Sequence, residues 1–228
     1  MQIFDYLSEN PYPGRGIMLG YNSFGAVIAY FIMGRSENSR NRVFEQSEDG
    51  IRTRAFDEKK CSDPSLIIYS PVRKLRGQTI VTNGDQTDTI YDELCIGGSF
   101  ESALQKRKFE PDAPNFTPRI SGVLERDSYQ LSILKCEDGL GKACARNFFR
   151  YEKERGIVHL IHTYEGDGNP IPCFAGEPRR FALPDMELDE LAQRLFDSLN
   201  PENRIALFVR FIDGETGHET TKIINKNA

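Results

Sequence analysis

The sequence predicts an α+β layered sandwich in which strands outnumber helices. Short apolar runs broken by Gly, Pro and Asn dominate the chain, which is the punctuation of strands. At least two pairs of these runs are joined by turn-forming residues, as hairpins require. Strand and helix signals rarely alternate, which argues against a parallel doubly wound sheet.

Taken in order, residues 17–21 and 26–33 form a hairpin turning through Asn22-Ser23-Phe24-Gly25. Strands are expected at 65–70, where the chain reaches Tyr69 just before Pro71, and at 79–82. A helical region over 88–108 is interrupted at Gly97-Gly98. Its second half opens on Ser99 and Glu101 and closes on Lys106-Arg107-Lys108, as the helix dipole favours. Four more strands are expected at 119–124, 129–135, 145–151 and 157–164. The clearest helix spans 186–199, with Leu188, Leu191, Leu195 and Leu199 on one face, Asp185 as cap and Pro201 after its end. A last hairpin pairs 205–211 with 220–224 through Asp213-Gly214-Glu215-Thr216-Gly217. No repeat, low-complexity tract or long linker divides the chain, so residues 1–228 are expected to form one domain.

Composition narrows the function classes. With 39% hydrophobic and 28% charged residues in 228, the chain reads as globular with a sizeable core. A formal net charge of -5 argues against a general nucleic-acid binder. No apolar run approaches the ~20 residues that span a bilayer. The start Met1-Gln2-Ile3-Phe4-Asp5 lacks the pattern of a signal peptide, so a cytoplasmic location and no membrane partner are expected. Five scattered cysteines without a C-x-x-C fit reduced thiols and no zinc knuckle. His159 and His162 sit in an apolar run, where a structural role outweighs metal ligation.

Several runs can carry chemistry. Phe109 to Ile120 places two carboxylates (Glu110 and Asp112), an Asn, a Thr and Arg119 on a backbone stiffened by Pro111, Pro114 and Pro118. The segment Gly34 to Arg42 holds Arg35, Arg40 and Arg42 among Ser and Asn donors, the residue types that grip phosphate or carboxylate oxygens. Tyr69, at its strand end, can give or take a proton. Asn83-Gly84 joins a strand to a helix start, where exposed amides suit an anion. A Gly- and Pro-shaped loop runs from Gly166 to Pro178. Classical nucleophile, P-loop and dinucleotide motifs do not occur, which leaves Tyr, Arg and carboxylate chemistry without a metal.

In order, these runs resemble the archaeal-type IMP cyclohydrolase family. The matching stretches are Pro13-Gly14-Arg15-Gly16, Ala29-Tyr30, Arg35-Ser36, Thr82-Asn83-Gly84 with Thr87-Asp88, Phe109 to Ile120, and Thr163-Tyr164-Glu165-Gly166 through Asn169-Pro170 to Gly176-Glu177-Pro178. The resemblance implies a four-layer αββα sandwich of the N-terminal-nucleophile-hydrolase type, working without a terminal nucleophile. It implies ring closure of 5-formamidoimidazole-4-carboxamide ribotide to IMP with loss of water, by a cytoplasmic homo-oligomer that uses no cofactor. Its catalytic Tyr, Arg and Glu fall on Tyr69, on Arg42 (with Arg40 as the alternative) and on Glu110. Arg35, Asn83 and Arg119 become candidates for the phosphate, ribose or base. The chain departs from the family pattern at Ser70-Pro71 and at Asp85-Gln86. Those departures keep two alternatives open: a non-catalytic purine-nucleotide binder and an amide hydrolase on the same fold.

Overall fold

The computed structural model describes residues 1–60 and 68–227. Helix α1 (Ile3–Glu9) buries Ile3, Phe4 and Leu7. The hairpin of β1 (Arg15–Tyr21) and β2 (Gly25–Met33) follows, and both strands are buried along their whole length. Its turn closes because the Asn22 carboxamide oxygen accepts from the Phe24 and Gly25 amides at 2.9 Å each. The arginine segment is not a plain loop: it contains the single turn α2 (Glu37–Arg40), capped by Ser36, and delivers Arg42 as the first residue of β3 (Arg42–Ser47).

Next come β4 (Gly50–Ala55), β5 (Val72–Leu75) and β6 (Gln78–Thr82). Half of the strand expected at 65–70 lies outside the described residues, and its described end, 68–70, is not strand. Helices α3 (Gln86–Cys95) and α4 (Phe100–Gln105) flank Gly97-Gly98. Ser99 caps α4 through the Ser102 amide at 3.0 Å. Strands β7 (Arg119–Leu124), β8 (Ser128–Cys136), β9 (Cys144–Glu152), β10 (Ile157–His162) and β11 (Arg179–Ala182) lead to α5 (Leu188–Ser198). Asp185 does not cap α5: Glu187 is the N-cap, and the Asp185 carboxylate accepts from the Ser23 amide at 3.2 Å. The hairpin of β12 (Arg204–Asp213) and β13 (Glu219–Asn225) ends the chain.

The strands form two antiparallel sheets, one in the order β11-β10-β1-β2-β12-β13 and the other running β3 to β9 in sequence. Strand alternation splits the apolar residues between two faces. On β2, Ile28, Tyr30 and Ile32 join the core between the sheets, with Phe44, Ile51, Val81, Ile120 and Leu131 of the opposing sheet. Val27, Ala29, Phe31 and Met33 face outward under α1 and α5. On the second sheet, Ile80, Val123 and Leu134 face outward under α3 and α4.

This architecture corrects the expected four-layer αββα sandwich of the N-terminal-nucleophile-hydrolase type. Two large antiparallel sheets dominate, and the helices patch their outer faces without completing a layer. The longest helix, α5, has 11 residues and rises about 16 Å. It lies against β12, whose 10 residues extend about 34 Å. The edge strands β9 and β13 accordingly remain partly exposed along most of their length.

Candidate active site

Five polar side chains meet at the end of the inter-sheet core where β1 begins and β3 starts. Arg15 is set there by its neighbours. Gly14 has φ +76°, and a Cβ on it would sit 2.3 Å from the Thr163 hydroxyl, so only glycine brings the chain this close. That hydroxyl accepts from the Arg15 amide at 3.1 Å and donates to the Pro13 carbonyl at 3.2 Å. Arg15 shares the β1 face of Ile17 and Leu19, so its side chain enters the space between the sheets. Its Nη2 lies 3.9 Å from Glu110 Oε2, both groups being nearly inaccessible. Its buried Nε has no hydrogen-bond partner. Burial opposes the charge on Arg15, yet Glu110 and the phenols of Tyr164, Tyr69 and Tyr12 raise its pKa overall.

Tyr30, opposite Ile17 in the sheet, places its hydroxyl 2.8 Å from that of Tyr69. The Tyr69 backbone is clamped by Thr53, whose hydroxyl accepts from the Tyr69 amide at 2.8 Å and whose own amide donates to the Tyr69 carbonyl at 2.8 Å. Burial, and then Tyr69, push the Tyr30 phenol well above its ordinary range, so it stays protonated.

Arg42 is fully buried. Its Nε donates to the Ser39 carbonyl at 2.8 Å and its Nη2 to the Met33 carbonyl at 3.5 Å, while its Nη1 has no partner. Burial lowers the Arg42 pKa, and the nearby positive charge of Arg15 lowers it further. Arg40 points elsewhere, with its Nε on the Gly34 carbonyl at 3.1 Å and its Nη2 on Asn203 at 3.0 Å.

Glu110 completes the cluster from the proline-rich loop. Its amide donates to the Thr117 carbonyl at 2.9 Å, which turns the loop back on itself. Burial pushes its carboxyl above the ordinary range, against the pull of Arg15, Arg119 and Arg42 and with the help of Asp112. The loop is tied down at its far end as well. Asp112 accepts from the Thr117 amide at 2.7 Å, and the Thr117 hydroxyl meets the Tyr164 hydroxyl at 2.5 Å.

The remaining expected residues lie apart. Arg119 is on the α3 side of its sheet, bonded to Gln86 at 2.6 Å and to Asp85 at 2.8 Å. Asn83 spends its amide on the Pro118 carbonyl at 2.9 Å, and its oxygen accepts from the Ile120 amide at 2.9 Å and from Gln86 at 3.0 Å. These contacts lock the β6–α3 turn to β7. Arg35 sits at the rim, ion-paired to Asp167 and 5.2 Å over the Tyr12 ring, which stacks on Tyr164. The structure therefore gathers Arg42, Tyr69 and Glu110; Asn83 is engaged in the β6–α3 turn, and Arg119 is paired with Asp85 while its charge still acts on Glu110.

Arg15 and Tyr30 were not among the expected site residues. Each carried a signal in the sequence: Arg15 is the charge that opens an apolar strand, and Tyr30 holds a core position between Ile28 and Ile32. What the chain alone does not show is that Arg15 meets a carboxylate 95 positions away.

Of the two buried guanidinium groups here, Arg15 pairs with Glu110 and Arg42 is held by backbone carbonyls, and each keeps an unpaired donor. Such a site favours a ligand that brings negative charge or an oxygen on which charge develops. The phenol pair beside it can pass a proton. Among the described residues no cluster of His, Cys, Asp and Glu suits a metal ion.

The chain is similar to several known proteins. IMP cyclohydrolase from Methanocella arvoryzae (strain DSM 22066 / NBRC 105507 / MRE50) is 29% identical over 133 residues, covering 57% of this chain and 65% of the relative. IMP cyclohydrolase from Methanococcus maripaludis (strain C7 / ATCC BAA-1331) is 29% identical over 160 residues, covering 68% of this chain and 75% of the relative. Among solved structures, an Anbu (Gly-1) mutant from Hyphomicrobium sp. strain MC1 superposes with a TM-score of 0.39 at 14% identity, covering 93% of this chain and 89% of that one. The family described as IMP cyclohydrolase-like protein matches residues 12–217, and the chain belongs to that family.

Proposed function

We infer that this protein is an IMP cyclohydrolase, an enzyme of purine biosynthesis whose substrate is the purine precursor 5-formamidoimidazole-4-carboxamide ribotide. The single observation that carries the site assignment is the buried meeting of Arg42, Tyr69 and Glu110, with Arg15 and Tyr30 around them. In the reaction the carboxamide nitrogen attacks the formyl carbon, and the carbinolamine so formed loses water. One hydrogen of that water comes from the carboxamide nitrogen and the other from the formamido nitrogen.

An amide nitrogen is a weak nucleophile, so most of the acceleration must come from holding both groups in attack geometry. Glu110, as carboxylate, takes the carboxamide proton while the new C–N bond forms. Arg42 polarises the formyl oxygen through its unpaired Nη1–H. Glu110 passes that proton on to the departing oxygen, and Tyr69, backed by the protonated Tyr30, delivers the second and is reprotonated from the formamido nitrogen as the C=N bond forms. Arg35 at the rim is the candidate for the nucleotide's outer parts. No cofactor enters this scheme, and we place the enzyme in the cytoplasm as a homo-oligomer.

The departures at Asp85-Gln86 do not favour a non-catalytic binder. Both residues are used structurally: Asp85 pairs with Arg119, and Gln86 bonds Arg119 and Asn83, anchoring the β6–α3 turn to β7. Conversion of the formylated ribotide to IMP, followed by ultraviolet absorbance, tests the reading. Turnover above the buffer blank is expected, and folded protein giving none overturns it.

A further inference from the structure

Resting on the cyclohydrolase reading, we propose that Arg15 is a second arginine of the site, holding Glu110 with one end of its guanidinium and offering its Nε–H to the oxygen on which charge develops. Three observations carry this. The Nε is buried with no partner, as is Nη1 of Arg42, so two unpaired guanidinium donors belong to this one cluster. A buried donor without a partner carries an uncompensated desolvation cost, which a bound oxygen removes. The charge of Arg15 also lowers the pKa of Arg42, while Glu110 is the one carboxyl among the described residues within ion-pair reach of Arg15. Finally, the left-handed Gly14 turn and the Thr163 hydroxyl fix the Arg15 backbone from both sides, which serves to aim the side chain.

As the carboxamide nitrogen bonds to the formyl carbon, the carbonyl π pair moves onto oxygen and the nitrogen's proton moves to Glu110. Arg15 acts on both ends of that transfer. It neutralises Glu110 as the carboxylate before the step, and with Arg42 it receives the oxyanion after it. The charged groups that act on Glu110 are Arg15, Arg119, Asp112 and Arg42. Arg15 is the strongest of the four, so losing it should drive the carboxyl further toward its protonated form.

The test compares wild type, Arg15→Gln and Arg15→Lys in the cyclisation assay across pH, with circular dichroism as the folding control. In Arg15→Gln, kcat is expected to fall by about 10²–10³, the usual loss on removing an oxyanion donor. The acid limb of kcat/KM should move to higher pH. In Arg15→Lys, the point charge keeps Glu110 ionised and returns that limb to its wild-type position. The lysine lacks the guanidinium fork, so kcat stays at least about tenfold down. If Arg15→Gln does not fold, Arg15→Lys alone decides: full recovery of kcat overturns the proposal. Folded Arg15→Gln with wild-type kcat and pH profile overturns it too. An inactive wild type instead refutes the cyclohydrolase reading, and this inference falls with it.

Discussion

At the scale of single residues, the account rests on which groups are buried together. Tyr69→Phe keeps the ring, and Glu110→Gln keeps the side chain's shape. Each is expected to lower kcat by about 10²–10⁴, the usual worth of a general acid or base, with little change in IMP affinity by calorimetry. Near-normal turnover in both would remove them as the proton-transfer pair. Arg42→Ala should weaken nucleotide binding as well as turnover, since its donor acts on the bound ground state too. Arg40→Ala serves as the contrast: its guanidinium is engaged with Gly34 and Asn203, so turnover should stay near wild type. Equal losses in the two arginine variants would contradict the placement. The sequence made Arg40 and Arg42 equivalent candidates because both lie in one polar run. They are separated by the end of α2, after which β3 turns Arg42 inward on the face of Phe44.

At the scale of elements, β10 links the site's wall to helix α1 through buried histidines. His162 Nδ1–H donates to the Tyr164 carbonyl at 2.9 Å, and its Nε2 accepts from the Tyr6 hydroxyl at 2.7 Å. Burial holds its pKa down at about 3, and that of His159 at about 4, against an ordinary 6.5. Because both are depressed in the fold, their stabilising contribution is complete above pH about 6.5 and is lost as pH falls toward 4 and 3. The melting temperature should therefore drop on acidification through this range. Glu110 works in the opposite sense: its raised pKa stabilises the fold below its ordinary 4.5, and that contribution fades as pH rises. Glu110→Gln should accordingly steepen the acid loss, and a flat melting profile between pH 6.5 and 4 would contradict the account of the histidines.

Legibility in the sequence followed element length and pattern. Helix α5 was visible from Leu188, Leu191 and Leu195 on one face, and the β12–β13 hairpin from Asp213 and Gly217 in its turn. Helix α1 escaped because seven residues with three buried apolar positions give too little periodicity. Strands β4 and β5 escaped because arginine and lysine alternate with their core residues, which reads as a polar stretch.

At the scale of the whole molecule, the two sheets are held by their shared apolar core and, at the β13 edge, by a charged clasp. Glu219 accepts from Lys74 of the opposing sheet at 3.1 Å and pairs with the buried Arg210 at 3.2 Å. Glu219→Gln strips the counter-charge from Arg210, whose buried Nη1 faces Glu219 at 3.2 Å. A loss of about 1–3 kcal/mol in denaturant unfolding is expected, and no loss would show that the clasp contributes nothing. The layer arrangement was the least legible feature. A helix signal at 88–108 and another at 186–199 say nothing of how much sheet each helix covers, and their short lengths leave two sheets dominant.

A cleft of about 560 Å³ lies at the opposite end of the sandwich, lined by Lys74, Arg76, Arg126, Lys153 and Glu219 among others. It is the natural rival to the buried cluster as the place where the nucleotide binds. A crystal structure of the protein with IMP bound distinguishes the two directly. The account predicts the purine ring within hydrogen-bond reach of Arg42, Tyr69 and Glu110, with Arg15 at its edge. A ring seated instead in the cleft beside Arg76 and Arg126, with the Arg15–Glu110 cluster untouched, would contradict it.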